Sequence, residues 1–319
     1  MGKIEGRTVP MNIILYSVLI AAGFIMLVKG ADYFVDGAAG LAKRLGISEI
    51  IIGLTIVAMG TSAPEAAVSF TAAYQGNADI AVGNIVGSNI LNILIILGVS
   101  SVIAPITVSW STIILETPFM IFCSVILLLL GLDQKISKPD GITLWIFFLI
   151  YLGYLFLLGR KRSEEKEETN KVNGWKLGLF ILGGLLFVIV GSRLAVWGTS
   201  ELARTVGISE RFISLTVVAL GTSLPELFTS VLAAKKGNAD IAIGNIVGSN
   251  VFNILFIIGT SAFLGEVSYE SKFFIDSAIV ILSGVILFLC IVSEEKLTRK
   301  HGVIMLSAYL GYFVYLCLS

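Results

Sequence analysis

Histidine, cysteine and charge are all scarce in this chain of 319 residues. The single histidine, His301, lies in a basic turn, which argues against a proton relay. The three cysteines, Cys123, Cys290 and Cys317, are scattered through apolar runs. They have neither metal-ligand spacing nor a disulfide framework, and read as small buried hydrophobes. Charged residues make up 14% of the chain, against about 25% in a soluble domain. Net charge is zero, so nothing points to a nucleic-acid partner. No hydrolase motif accompanies Ser62 or Ser223, so an enzyme is not expected.

What remains is apolar. Hydrophobic residues reach 56% and mean hydropathy is +0.94. Runs near the roughly 20 residues needed to cross a bilayer recur throughout. The reading is an all-α integral membrane protein with ten spans, at 12–43, 48–74, 79–104, 112–131, 141–159, 175–205, 209–234, 240–264, 273–292 and 302–318. Residues 1–10 resemble a tag remnant with a protease site, and Met11 is the expected native start. Residues 11–159 then form a first five-helix half, 160–176 a polar cytoplasmic loop too short to be a domain, and 177–319 a second five-helix half.

The segment 46–98 occurs twice. Its second copy, 207–259, lies 161 residues on without a gap, and 35 of 53 positions are identical. Five spans per half is odd, so the second copy must enter the membrane upside down. Charge agrees with this. With both termini outside, the inner loops hold thirteen basic residues and the outer loops five, as the positive-inside rule requires. Tyr74 and Gln75 precede GNAD in the first copy, where the second has Lys235 and Lys236. Inverted repeats of this kind mark secondary transporters, with binding near the bilayer midplane.

Each copy carries one glutamate, Glu65 or Glu226, midway along an apolar span. A charge there costs roughly 2.5–3.5 kcal/mol on insertion scales. An ion pair within the membrane is the structural alternative. Lys29 and Arg193 are the basic candidates, but Lys29 aligns with Val190, so two symmetric glutamates would lack symmetric partners. Pro64 and Pro225 precede the glutamates and free the carbonyls of Gly60 and Gly221. Broken backbone at this depth suits a cavity wall, although a packing kink would look the same. Thr61, Ser62 and Ser69 share a helix face with Glu65, as Thr222, Ser223 and Ser230 do with Glu226. The next span carries Asn84, Ser88 and Asn92 at four-residue spacing, repeated as Asn245, Ser249 and Asn253. Carboxylates, hydroxyls and amide oxygens suit hard cations such as Ca²⁺, and the absence of Cys and His disfavours Zn²⁺ or copper. Any one of these polar groups alone would read as interhelical hydrogen bonding. Asn89 and Asn250 lie off the stripe and read as structural. Gly83/Gly87 and Gly244/Gly248 read as close-packing positions, and Asp79 and Asp240 as helix caps. Asp32 and Asp36 read as interfacial or as lining an ion access path.

The paired GTSxPE and GNIVGSNxxN blocks strongly resemble the two α-repeats of the cation/Ca²⁺ exchanger superfamily, in its prokaryotic Na⁺/Ca²⁺ exchanger branch. The resemblance spans essentially the whole chain. It implies a multi-pass cell-membrane antiporter of Na⁺ and Ca²⁺ that alternates access, its first and sixth helices sliding across a core of four. It implies Glu65 and Glu226 as central Ca²⁺ ligands, joined by the Thr61 and Thr222 carbonyls. Flanking Na⁺ sites would comprise Ala58, Ser62 and Ser88 on one side and Ala219, Ser223 and Ser249 on the other, with Asn92 and Asn253 completing the middle. The potassium-dependent branch has Asp where this chain has Asn253, which argues against K⁺ cotransport. No cofactor beyond the transported ions is expected, and the chain is expected to act as a monomer. The proton-coupled branch places its glutamates in GNxxE motifs, absent here. H⁺/Ca²⁺ exchange, and more remotely a cation channel, remain the alternatives. The large Ca²⁺-sensing domains of animal exchangers have no room in the 160–176 loop.

Overall fold

The computed structural model describes residues 8–76, 78–163, 173–207 and 219–318. Helix α1 (Thr8–Leu45) begins before Met11. It is followed by α2 (Glu49–Thr61) and α3 (Ala63–Tyr74), which meet at a bend of 49°. Then come α4 (Ile80–Ile103) and α5 (Thr112–Asp133). Helix α6 (Lys138–Ser163) closes the first half. The second half repeats the order with α7 (Gly174–Thr205), the short α8 (Ala219–Thr222) and α9 (Leu224–Lys235). It ends with α10 (Ala239–Leu264), α11 (Lys272–Val292) and α12 (Arg299–Leu318). Among the described residues, eight helices are long and apolar enough to cross a membrane, or nine if α2 and α3 form one span. The expected span 209–234 is described only from Ala219, because residues 208–218 lie outside the described set.

The fold departs from all-α in four two-residue strands. β1 (Ile106–Thr107) pairs antiparallel with β4 (Lys296–Leu297), and β2 (Lys135–Ile136) with β3 (Val267–Ser268). Each pair staples a loop of one half to a loop of the other. Cys123 and Cys290 are buried as expected, but Cys317 is exposed near the end of α12, so the small-hydrophobe reading fails there.

Helices α1 and α7 pack antiparallel along their length through glycines. A Cβ on Gly23 would lie 2.7 Å from the Gly191 carbonyl oxygen, and one on Gly30 2.8 Å from that of Gly184. Gly23, Gly30 and Gly37 are spaced by seven, and Gly184, Gly191 and Gly198 repeat that spacing. Seven residues is two helical turns, so each set forms one smooth stripe. Without Cβ atoms the two backbones touch, which is how helices associate where lipid removes the hydrophobic drive. Gly244 and Gly248 do the same against α2, as expected: a Cβ on Gly248 would sit 2.7 Å from Leu54. The neighbours equivalent for Gly87 fall in the undescribed 208–218.

The innermost helices are α4 and α10, with α10 buried along nearly its whole length. Both contain a stretch of wider π-helical winding, Leu91–Leu97 and Asn253–Ile258. Such widened turns recur at functional sites. Asp240 sits inside the first turn of α10, where the helix dipole favours an acid, but the N-cap residue is Asn238. The capping reading of Asp240 is thereby corrected; the side chain of Asp79 lies outside the described residues. His301 accepts a hydrogen bond from the Thr298 backbone N–H at the start of α12, a local structural role.

The glycine stripe makes a sharp prediction. Gly184→Leu drives a side chain into the α1 backbone and should lower the melting temperature in detergent by roughly 5 °C or more. Gly183→Leu meets nothing within 4 Å and should leave it unchanged. Equal melting of the two variants would refute the contact.

Candidate cation site

The two broken spans bring the site residues together. Ser62 separates α2 from α3, and Ser223 separates α8 from α9. Their dihedrals are nearly the same, φ −79° and ψ 6° against φ −88° and ψ 4°. A serine at a helix N-cap ordinarily accepts from the N–H two or three residues on. Here Pro64 and Pro225 delete the first of those donors, and neither hydroxyl caps its own helix. Each is directed at the other repeat. Ser62 Oγ donates to Glu226 Oε1 at 2.9 Å, and Ser223 Oγ donates to Glu65 Oε1 at 3.2 Å. Thr222 is a further hydrogen-bond partner of Glu65.

Glu65 and Glu226 occupy the first turn of α3 and α9, where the positive end of the half-helix faces them. Both are 1% exposed. Among the described residues no Lys, Arg or His pairs with either one. Lys29 and Arg193 are exposed on the outer helices. The ion-pair alternative therefore fails. Glu65 Oε2 and Glu226 Oε2 are buried without a hydrogen-bond partner, and so are Asn92 Oδ1 and Asn253 Oδ1. Two carboxylate and two amide oxygens, related by the repeat, are thus left without donors. Buried negative charge of this kind must be neutralised by protons or by metal cations. The all-oxygen donor set fits Na⁺ or Ca²⁺.

The flanking groups assemble differently from expectation. Ser249 Oγ donates to the Ala58 carbonyl at 3.4 Å, and Ser223 and Ser88 hydroxyls are 3.4 Å apart. The structure therefore groups Ala58, Ser62 and Ser249 beside Glu226, and Ser88 and Ser223 beside Glu65. Ser88 and Ser249 have exchanged places, because α4 and α10 cross and each lies against the broken span of the other half. Ala219 precedes Thr222 in α8; its side chain lies outside the described set. The carbonyls freed by proline are partly consumed. That of Gly221 accepts from Ser192 Oγ at 2.7 Å. Ala58 keeps its backbone bond from the Ser62 N–H at 3.0 Å.

Asn84 and Asn245 brace the turns that carry the glutamates, and Asn245 Oδ1 also accepts from Thr61 Oγ1 of the other repeat at 3.0 Å. Asn84 Nδ2 donates to the Glu65 carbonyl and Ser69 Oγ, and Asn245 Nδ2 to the Glu226 carbonyl and Ser230 Oγ. They fasten each glutamate's own turn to the adjacent helix. Sequence spacing placed them on the polar stripe and could not show that their amide nitrogens serve the backbone of their own repeat.

The two sides of the site differ in access. A crevice of about 440 Å³, lined by Pro64, Val68, Ser192, Val196, Gly221 and Thr222, leads inward beside α7. At the equivalent place on the other half, Leu27 and Ala31 pack with Val188, Ala195, Leu224 and Phe228. Thr61 is accordingly fully buried while Thr222 is half-buried.

The profile of the sodium/calcium exchanger protein family matches this chain twice, at residues 15–157 and 176–318. The chain belongs to the sodium/calcium exchanger protein family. The second match begins and ends 161 residues after the first, so the whole half is duplicated. The inner membrane protein YrbG of Escherichia coli (strain K12) is 35% identical over 322 residues, covering 96% of this chain and 97% of its own. The sodium/calcium exchanger MaX1 of Methanosarcina acetivorans is 30% identical over 343 residues, covering 93% and 97%. Among solved structures, the sodium-calcium exchanger NCX_Mj aligns with a TM-score of 0.84 at 30% identity, covering 94% of this chain and 98% of that one. The chain is therefore a multi-pass membrane antiporter of a family that moves Na⁺ and Ca²⁺ without a cofactor, and is not an enzyme.

Because four buried oxygens of the cage have no donor, cations should stabilise the purified protein. A ligand at 100 times its dissociation constant contributes about 2.7 kcal/mol. Ca²⁺ or Na⁺ added to metal-free protein should raise the melting temperature, and chelation should reverse the Ca²⁺ effect. A double Glu65→Gln, Glu226→Gln variant should melt independently of both ions. Persisting dependence in that variant would place the binding elsewhere.

Proposed function

We propose that this protein exchanges Na⁺ for Ca²⁺ across the cell membrane by alternating access, independently of K⁺. The carrying observation is the pair of buried glutamates, each held by a serine of the opposite repeat and each with one unpartnered oxygen. One Ca²⁺ neutralises two carboxylates. Several Na⁺ can share them with the flanking hydroxyls and the Ala58 carbonyl, Ala219 being the counterpart in the other repeat. Glu65, Glu226, Thr61 and Thr222 then serve Ca²⁺. Ser62 with Ser249 and Ser88 with Ser223 serve Na⁺, and Asn92 and Asn253 close the middle. Neutral Asn253 in place of a carboxylate supports K⁺ independence. Both halves of the cage come from one chain, so a monomer suffices.

Ten spans in two inverted halves fit the connectivity. Antiparallel packing of the equivalent helices α1 and α7 supports inversion. The strand pairs support the count. From β1 to β4 the chain passes through α5, α6, α7, the 209–234 segment, α10 and α11. Paired strands lie on one face, so that number of crossings must be even, and it is even only if 209–234 crosses. The path from β2 to β3 imposes the same condition. With the termini outside, the crevice reaching Thr222 opens outward.

The inward side carries an ion-pair latch. Lys236, just after α9, contacts Asp32 Oδ1 at 2.7 Å and Asp36 Oδ1 at 2.6 Å on α1. Partial burial pulls the Lys236 ammonium down, but its hydrogen bonds to the two aspartates outweigh this and hold it above its ordinary value. It is therefore charged at neutral pH. The symmetry-related positions are Gln75, Arg193 and Trp197, which cannot form the same latch.

Vesicle flux with Na⁺, K⁺ and pH gradients imposed separately tests the reading. A Na⁺ gradient alone should drive uptake of radiolabelled Ca²⁺, and Glu65→Gln or Glu226→Gln should abolish it. Uptake driven by a pH gradient and indifferent to Na⁺ would replace Na⁺ exchange with H⁺ exchange. Exposed ion pairs contribute about 0.2–1 kcal/mol, so Lys236→Met should change the maximal exchange rate by up to about fivefold. An unchanged rate would show that the latch does not restrain α1.

A further inference from the structure

Asn89 and Asn250 are buried at the crossing of α4 and α10, and neither belongs to the cage. Each donates to the backbone of the other: Asn89 Nδ2 to the Asn250 carbonyl at 3.3 Å, and Asn250 Nδ2 to the Asn89 carbonyl at 3.3 Å. Asn250 Nδ2 also lies 3.5 Å from Met120 Sδ. Their side-chain oxygens each accept from a cage residue. Asn253 Nδ2 donates to Asn89 Oδ1 at 3.0 Å, and Asn92 Nδ2 donates to Asn250 Oδ1 at 2.9 Å.

The polarity of this chain of amides is dictated from its start. A backbone carbonyl can only accept, so the atom of Asn89 facing it must be the NH₂ group. The Asn89 oxygen then faces Asn253, which must answer with its own NH₂. That leaves Asn253 Oδ1, and not a donor, as the unpartnered atom. The same logic runs from Asn89 through Asn250 to Asn92. Asn92 lies one turn beyond Ser88, and Asn253 one turn beyond Ser249, on the faces that carry the flanking hydroxyls. A flipped ligand amide would present two positive hydrogens to the cations and set two acceptors against each other.

We infer that Asn89 and Asn250 are positioning residues: each fixes the flip of the ligand amide in the opposite repeat, so that Asn253 and Asn92 present oxygen to the ions. This rests on the reading of Asn92 and Asn253 as cation ligands given above. It adds a cross-repeat dependence, because a change at 89 acts through 253 and a change at 250 acts through 92.

The test titrates purified protein with CaCl₂ and with NaCl while following its melting temperature. Asn89→Ala and Asn89→Leu are each compared with the double variant that adds Asn253→Asp. A carboxylate offers oxygen however it rotates, so it needs no orienting partner. Either Asn89 variant should raise the half-stabilising cation concentration about tenfold, the effect of one misdirected ligand. Adding Asn253→Asp should restore it to near that of Asn253→Asp alone. Asn250→Ala should be rescued by Asn92→Asp and not by Asn253→Asp. Unchanged titrations in the Asn89 variants, or a loss that Asn253→Asp fails to restore, would overturn the assignment and leave these residues as packing. Wild-type protein that neither cation stabilises would instead sink the cage reading, and the positioning role with it.

Discussion

Two carboxylates buried in the membrane without an internal cation set the terms for the rest of this fold. Glu65 and Glu226 have no basic partner among the described residues, so their charge must be met by protons or by metal cations. Everything near them supplies partial compensation and stops short of full neutralisation. Half-helix N-termini face the carboxylates, one serine hydroxyl reaches each, and Asn84 or Asn245 ties down the backbone behind them. One oxygen of each glutamate stays free.

The two copies of the repeated segment complete one another across the site. Each repeat contributes a broken span whose serine grips the other repeat's glutamate, so neither half contains a complete cage. The halves are also not in the same state. Identical GTSxPE motifs lead to a half-buried Thr222 on one side and a fully buried Thr61 on the other. The difference lies outside the motif, in Phe228 and Leu224 packed on Leu27 and Ala31, where the first half carries Ala67 and Ala63. A symmetric sequence core is thus packed by asymmetric flanks.

Much of this was legible in the sequence, and the failures share one cause. The repeat, the proline breaks and the two glutamates stand out because spacing along one helix determines which side chains share a face. Contacts across the pseudo-twofold axis leave no such trace. The resemblance implied Ser88 beside Ser62, yet α4 carries Ser88 to Ser223 in the broken span of the second repeat. Asn84 and Asn245 sit on the right stripe at the right spacing, but their amide nitrogens turn to the backbone of their own repeat, while Asn245 Oδ1 meets Thr61 of the other. The glycine heptads of α1 and α7 were readable and were passed over, since they lie outside the duplicated motifs. The four short strands carry no sequence signal that two residues could provide.

Coupling follows from the sharing of oxygens. If Ca²⁺ and Na⁺ both bind through Glu65 and Glu226, as proposed above, they cannot bind independently and occupancy by one excludes the other. Exchange then requires that the unneutralised pair not pass between the open states. Both carboxylates are already out of water, at 1% exposure, so a bare pair carries an effective desolvation cost of several kcal/mol per ion. A bound Ca²⁺, or Na⁺ ions in the same cage, removes that cost because the charge is already compensated. In the proposed exchange, the arrangement that makes the empty site costly is the one that would prevent leak, and it depends on the two glutamates having no basic partner among the described residues.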